Sequence, residues 1–374
     1  MFTAALAILI CYILLISWFI FGFFKVKTFT NVSSYQSTTF SIIIPFRNEQ
    51  NNLPELLQSL AVINYSYALY EIIFVDDDSV DQSEEIIKTW SESSAVKVTL
   101  LKNNRKSNSP KKDAIETAIQ NATNDWIITT DADCKISKNW LLIFDSFIQE
   151  KNAKLVAGPV TYVINNNFLE RFQLLDFLSL MGTTIGGFGT QKPFLCNGAN
   201  LAYNKETFLN VNGYQNNNEI ASGDDIFLLE KIQKAFPKDV YFLKSEDAIV
   251  TTKAENSFKK ACAQRKRWAS KTSKHPSAYI KLVGALVFLM NLIFVMFLLL
   301  GIFKIVSFKQ FLVLYVFKFN VDFFLLYNTA YFFNQEKEMK GFLISSLWYP
   351  FFTIYIAVSS FFGGYKWKGR RFKR

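Results

Sequence analysis

From Phe2 to Phe24 the chain carries no charged residue. At about 1.5 Å of rise per residue the run makes a helix of roughly 34 Å, enough for a hydrocarbon core of about 30 Å. A soluble domain does not readily absorb an apolar rod of that length, so residues 1–24 are expected to form a membrane anchor. No basic stretch precedes the run and no small-x-small site follows it, which favours an uncleaved anchor over a signal peptide. The composition agrees: 50% hydrophobic and 17% aromatic residues against 19% charged is greasier than an ordinary soluble domain.

A C-terminal membrane region is expected over 280–362. Leu282 to Phe303 and Phe342 to Phe362 are uncharged, the latter with Pro350 inside it, and between them Phe311 to Phe333 is interrupted by Lys318, Asn320, Asp322 and Asn328. Charges near the centre of a span cost about 2.5–3.5 kcal/mol each, so this middle segment is the weakest candidate. As i,i+4 neighbours on a helix, Lys318 and Asp322 would neutralise each other. The region therefore holds two or three spans. Lys25 and Lys27 after the first run, and Lys259, Lys260, Arg265, Lys266, Arg267, Lys271 and Lys274 before the second, place the intervening chain in the cytoplasm. The expected location is the cell (inner) membrane, multi-pass, with a basic tail over 363–374 whose side depends on the span count.

The net charge of +10 does not point to nucleic acid. It lies beside the membrane segments, where anionic headgroups account for it, and no nucleic-acid-binding motif accompanies it. Cys11, Cys134, Cys196 and Cys262 form no C-x-x-C pair, which argues against a zinc site or a disulfide framework. The single histidine, His275, lies in a polar stretch, so histidine-based triads and zinc chemistry are not expected. Any catalysis here falls to carboxylates.

Residues 38–275 read as one domain. Strands are expected at Phe40 to Ile44, Glu71 to Val75, Val96 to Leu101 and Trp126 to Thr130. Helices are expected at Asn51 to Ala61, Asp81 to Trp90, Lys111 to Gln120 and Lys138 to Gln149. Such alternation with continuously apolar strands predicts an α/β fold, a mostly parallel doubly wound sheet whose ligands bind at the carboxyl ends of the strands. Polar residues collect at those ends: Pro45-Phe46-Arg47-Asn48-Glu49, Asp76-Asp77-Asp78-Ser79 and Asp131-Ala132-Asp133. Any one cluster is explained by helix capping; three on one sheet edge are not. No glycine-rich phosphate loop follows the first strand, which argues against a dinucleotide fold or a P-loop. Asp131 and Asp133 at a strand end suit a hard divalent cation, Mg²⁺ or Mn²⁺, completed by phosphate oxygens.

Five segments, "SIIIPFRNE", "IIFVDDDSVDQS", "TTDADC", "SGDD" and "QRKRW", taken in this order, resemble glycosyltransferase family 2. These are inverting enzymes of GT-A fold, and the likeness is to the membrane-bound branch with ceramide glucosyltransferase, chitin synthase and cellulose synthase catalytic domains. It covers about residues 38 to 270. It implies that Pro45, Glu49, Asp77, Lys112 and Asp131 bind the nucleotide-sugar, with Lys111 a competitor for Lys112, and that Asp131 and Asp133 hold the metal. Asp78 stands where the family more usually has glycine. Phe194 to Asn200 looks like the glycine-containing strand beneath the acceptor site. Asp225 matches the general base, and Asp224 beside it either raises its neighbour's pKa or caps the helix expected from Ile226. Gln264, Arg267 and Trp268 match the Q-x-x-R-W signature: a cation for the diphosphate and an indole for stacking on sugar or acceptor. The bland reading of that segment is a basic interfacial helix.

The resulting expectation is a membrane-bound transferase that moves a sugar from a nucleotide-diphospho-sugar to a hydroxyl acceptor, a lipid or lipid-linked glycan. A processive polysaccharide synthase is the alternative, and it needs more helices for a channel. A non-catalytic nucleotide-binding membrane protein is a third reading, disfavoured because every required acid is present. A nucleotidyltransferase would leave Q-x-x-R-W unexplained.

Overall fold

In the computed structural model the uncharged N-terminal run forms α1 (Phe2–Lys25). The alternation follows as β1 (Phe40–Phe46), α2 (Leu53–Ala61), β2 (Tyr70–Asp76), α3 (Ser83–Glu92), β3 (Lys97–Lys102), α4 (Pro110–Asn121), β4 (Trp126–Thr129) and α5 (Trp140–Lys151). Next come β5 (Leu155–Ala157), β6 (Val160–Val163), α6 (Phe168–Gly189), β7 (Leu201–Asn204), α7 (Lys205–Asn210), α8 (Asp224–Ala235), β8 (Val240–Phe242) and β9 (Val250–Lys253). The chain ends with α9 (Phe258–Lys274), α10 (Ala278–Ile302), α11 (Phe308–Phe332), α12 (Phe342–Phe361), β10 (Tyr365–Trp367) and β11 (Arg370–Phe372). The structure describes all residues except 34, 166, 216–222, 275–276, 362–364, 369 and 373–374. Ser222 of the "SGDD" segment, His275 and part of the basic tail lie outside the described residues.

The chain divides into two units. Val26–Val163 with Gln191–Lys253 holds the sheet, and Met1–Lys25, Ile164–Thr190 and Ala254–Arg374 hold the long apolar helices.

The sheet has seven strands in the order β3-β2-β1-β4-β7-β5-β8. It is parallel throughout except for β7, which runs antiparallel to both β4 and β5. Central β1 explains why the strands read as unbroken apolar runs: Ile42, Ile43 and Ile44 are wholly buried between layers of helices. The antiparallel β7 differs from the expectation for its neighbourhood. Gly198–Asn200 is a 3₁₀ turn, and the strand begins only at Leu201. Asn197 sets this turn by accepting from Ala199 N at 3.0 Å. Buried Asn200 then fixes it, donating to Pro159 O (2.8 Å) and Ala248 O (2.7 Å) and accepting from Trp140 Nε1 (2.9 Å).

Glu71 fastens the other half of the sheet. Its buried carboxylate accepts from Ser41 Oγ (2.7 Å), Lys97 Nζ (2.6 Å) and both the N–H (2.6 Å) and hydroxyl (2.9 Å) of Thr123. Burial raises its pKa, but these donors outweigh burial and hold it below the usual glutamate value. A depressed folded pKa gives stability that is present above the unfolded value and lost as pH falls through the folded one. Glu71→Ala should cost about 1.5–3 kcal/mol at neutral pH and flatten the acid limb of a thermal-unfolding profile. A variant with wild-type stability at both pH 7 and pH 4 would sink this account.

In the second unit, α1, α10, α11 and the segment Glu336–Ser360 are each long and apolar enough to cross a membrane. The middle helix α11 is completed by its partners: Lys318 Nζ lies 2.6 Å from Asp322 Oδ2, and Tyr12 Oη of α1 donates to Asp322 Oδ1 at 2.7 Å. The two charges that weakened this segment as a span thus neutralise each other, as their spacing requires. Glycines bring α1 and α6 into backbone contact: a Cβ on Gly22 would collide with the Gly186 carbonyl, and one on Gly189 with the Gly22 carbonyl.

Candidate active site

The first cluster forms where the β1–β4 ladder stops. Thr130 N donates to Ile43 O at 3.2 Å, and the next rung on that side would need an N–H from residue 45. Pro45 has none, so the ladder ends and the strand tips part. The chain then turns through Asn48, at φ 53°, to Glu49. Glu49 is buried, donates its N–H to Ser83 Oγ (2.7 Å) and accepts from Asn52 Nδ2 (2.7 Å).

The three consecutive aspartates divide their tasks. Asp76 is buried in β2, pairs with Lys102 Nζ at 2.7 Å and accepts from Ser79 N at 2.9 Å, a structural role. Asp77 Oδ1 accepts from Arg105 Nε at 2.7 Å and Asn103 Nδ2 at 2.8 Å. Asp78 adopts φ 68°, which explains why glycine suits this position: the turn is left-handed. Arg105 and Asn103 after β3 escaped the sequence reading, because a lone loop arginine carries no periodic signal.

The second cluster gathers residues from four segments. Lys111 Nζ, on α4, lies 2.6 Å from Asp131 Oδ1 past β4 and 3.5 Å from Asp224 Oδ2 in the first turn of α8. Burial works against its ammonium, yet Asp131, Asp224 and Asp225 hold its pKa well above the ordinary lysine value. Asp225 Oδ2 accepts from Gly198 N at 3.3 Å. A Cβ on Gly198 would sit 2.9 Å from Asp224 Oδ2 and 3.7 Å from Asp225 Cβ, so the missing side chain is what admits the acids. Asp131, Asp224 and Asp225 are thus brought together around Lys111 and Gly198. The ammonium that joins them belongs to Lys111; that of buried Lys112 sits 5.0 Å from the Phe227 ring centroid and 6.0 Å from that of Tyr214. The helix α8 begins at Asp224 rather than Ile226, so both acids occupy its first turn, where the N-terminal dipole favours negative charge.

Asp131 and Asp133 do not share one face of an extended strand. Cys134 N donates to Asp131 O at 3.1 Å and closes a turn, which leaves Asp131 against Lys111 and Asp133 exposed. Among the described residues no three His, Cys, Asp or Glu side chains converge to form an all-protein cage. Two partly exposed carboxylates fit a hard cation that completes its shell with water and phosphate oxygens.

Gln264, Arg267 and Trp268 lie on α9 in the second unit. There Arg265 ion-pairs with Asp176 of α6, and its guanidinium carbon lies 4.6 Å from the Trp268 ring centroid.

A mostly parallel sheet with its acids gathered at the carboxyl edge is the architecture of GT-A enzymes. Residues 41–210 match the family described as glycosyl transferase family 2, and residues 126–334 match glycosyl transferase family group 2. The chain belongs to glycosyltransferase family 2. It is 31% identical over 117 residues to poly(ribitol-phosphate) beta-N-acetylglucosaminyltransferase TarS of Staphylococcus aureus, covering 31% of this chain and 20% of that protein. It is 36% identical over 94 residues to undecaprenyl-phosphate 4-deoxy-4-formamido-L-arabinose transferase of Sodalis glossinidius, covering 25% of this chain and 28% of that one. The chain therefore spans less than a third of the length of either relative. The fold is similar to that of mannosyltransferase PcManGT from Pyrobaculum calidifontis, solved with GDP-Man and Mn²⁺, with a TM-score of 0.56, 15% identity and coverage of 92% of this chain and 96% of that one.

Proposed function

We propose that this glycosyltransferase moves a sugar, with inversion, from a nucleotide-diphospho-sugar to the hydroxyl of a lipid or lipid-linked glycan at the cytoplasmic face of the membrane. The observation that carries the reading is the cluster of Lys111, Asp131, Asp224 and Asp225 at the carboxyl edge of the sheet. Pro45, Glu49 and Asp77 line the nucleoside side. Asp225 accepts the proton from the incoming hydroxyl, held in orientation by the Gly198 N–H. Lys111 keeps a fixed positive charge beside Asp131, where the donor diphosphate is expected, while Lys112 packs over the Phe227 ring of α8. Asp131 and Asp133 would hold a divalent cation, whose chemistry when bound is to neutralise the departing diphosphate. On α9, Arg267 and Gln264 serve the diphosphate and Trp268 stacks on sugar or acceptor. Long apolar helices and the flanking basic residues favour a lipid acceptor over a processive polymer.

The test incubates membranes containing the full chain with a panel of radiolabelled nucleotide-sugars, then partitions the products into lipid and polymer fractions. Label should enter the lipid fraction with one donor, and EDTA should abolish transfer until Mn²⁺ or Mg²⁺ is restored. Label in the polymer fraction alone would favour the processive reading; label in neither, with any donor, would refute the reading.

A further inference from the structure

In Gln264-Arg265-Lys266-Arg267-Trp268 the signature leaves Arg265 unassigned, yet Arg265 has defined partners on two sides. Its side chain is 14% exposed and ion-paired with Asp176, itself 6% exposed, on α6. Its guanidinium lies over Trp268, and the Phe177 ring lies against the same indole, at 6.0 Å between centroids and tilted by 44°. Asp176 and Phe177 are consecutive, so α6 grips the indole both directly and through the arginine. One turn earlier Gln173 donates to Glu255 O at 2.9 Å and accepts from Glu255 N at 3.0 Å, fixing the chain just before α9. Residues 173, 176 and 177 lie at i, i+3 and i+4 on one face of α6. Asp176 is itself buried, and a buried carboxylate is costly unless a cation meets it. On α9, residues 265 and 267 are about 200° apart around the axis, so the two arginines address opposite sides.

We propose that Asp176 is a positioning residue for sugar transfer: acting through Arg265, it fixes the Trp268 indole, so Arg265 belongs to the scaffold and Arg267 is the arginine that meets the ligand. The catalytic half of this inference rests on the function proposed above for Trp268.

The test uses the full chain in detergent with Asp176→Asn, Asp176→Glu and Arg265→Met, each made with and without Trp268→Phe. The near-ultraviolet circular dichroism difference between each parent and its Trp268→Phe partner isolates one indole among seven tryptophans. That difference signal should fall by more than half in Asp176→Asn and Arg265→Met and return in Asp176→Glu. Transfer to undecaprenyl phosphate and to diacylglycerol, as probe acceptors, should show an acceptor KM about tenfold higher in Asp176→Asn, with the donor KM within twofold. Combining Asp176→Asn with Arg265→Met should be no worse than either alone, since both break one linkage. An unchanged Trp268 signal in Asp176→Asn would overturn the inference, as would an unchanged acceptor KM in a variant that has lost the signal. Absence of transfer by the wild type to either lipid would count against the lipid acceptor, and the spectra would then decide the positioning role by themselves.

Discussion

Asp225→Asn should lower kcat by about 10²–10⁴-fold with a hydroxyl acceptor, the range that a positioned general base supplies. The amide oxygen of asparagine can still accept from Gly198 N, which Asp225 Oδ2 meets at 3.3 Å. The geometry should therefore survive while basicity is lost. Thermal unfolding should move little, and the KM for the nucleotide-sugar should stay within a few-fold. The acceptor's chemistry sets the size of the effect. A lipid hydroxyl must surrender a proton as the bond to the anomeric carbon forms, whereas a lipid phosphate is already ionised at neutral pH and needs no base. If Asp225→Asn retained a tenth or more of wild-type kcat in a folded chain, Asp225 would not be the base, and a phosphate acceptor would become the better account.

Lys111→Met should be nearly as damaging, lowering kcat/KM by about 10²–10³-fold, comparable to removing one preorganised charge-stabilising donor. The substitution preserves length and apolar stem but leaves Asp131 and Asp224 without the ammonium that sits 2.6 Å and 3.5 Å from them. Lys111→Arg should recover part of the loss. The informative control is the next residue. Lys112→Met exchanges a buried cation lying over Phe227 for another long flexible side chain, so its cost should appear in the melting temperature and less than tenfold in kcat/KM. If Lys112→Met abolished transfer while Lys111→Met did not, the assignment of the two lysines would be reversed.

These neighbouring lysines also mark where the sequence stops being legible. Ala114, Ile115, Ala118 and Ile119 define the buried stripe of α4, and both lysines extend it, at i−3 and i−4 from Ile115. Periodicity alone cannot choose between them; only the contacts at the sheet edge can. The parallel strands were legible because burial on both faces demands unbroken apolar runs, and the acids were legible because they cluster where such strands end. The turn at Asp131 was not, since it depends on Pro45, on a different strand, ending the ladder that would have kept the chain extended. Asp78 stands where glycine is more usual, and its positive φ gives the reason: aspartate tolerates the left-handed region well enough to stand in. Helix α6 escaped notice because the sequence assigned residues 38–275 to one domain, whereas its glycines find their partners on the apolar helices α1 and α11 and Asp176 finds its partner on basic α9.

The glycine crossing between α1 and α6 bears on how the protein is made. On the ribosome α1 leaves before α6, which follows about 140 residues later, and at about 5–20 residues per second that is a delay on the order of ten seconds. Throughout that interval Gly22 presents bare backbone shaped for the carbonyl and Cα of Gly186 and Gly189. Much of the sheet can form meanwhile, while the apolar bundle must await a helix encoded in the middle of the sheet's own sequence. Substitutions at Gly22 or Gly186 should therefore reduce the yield of assembled protein more than its specific activity, a defect of synthesis and not of chemistry.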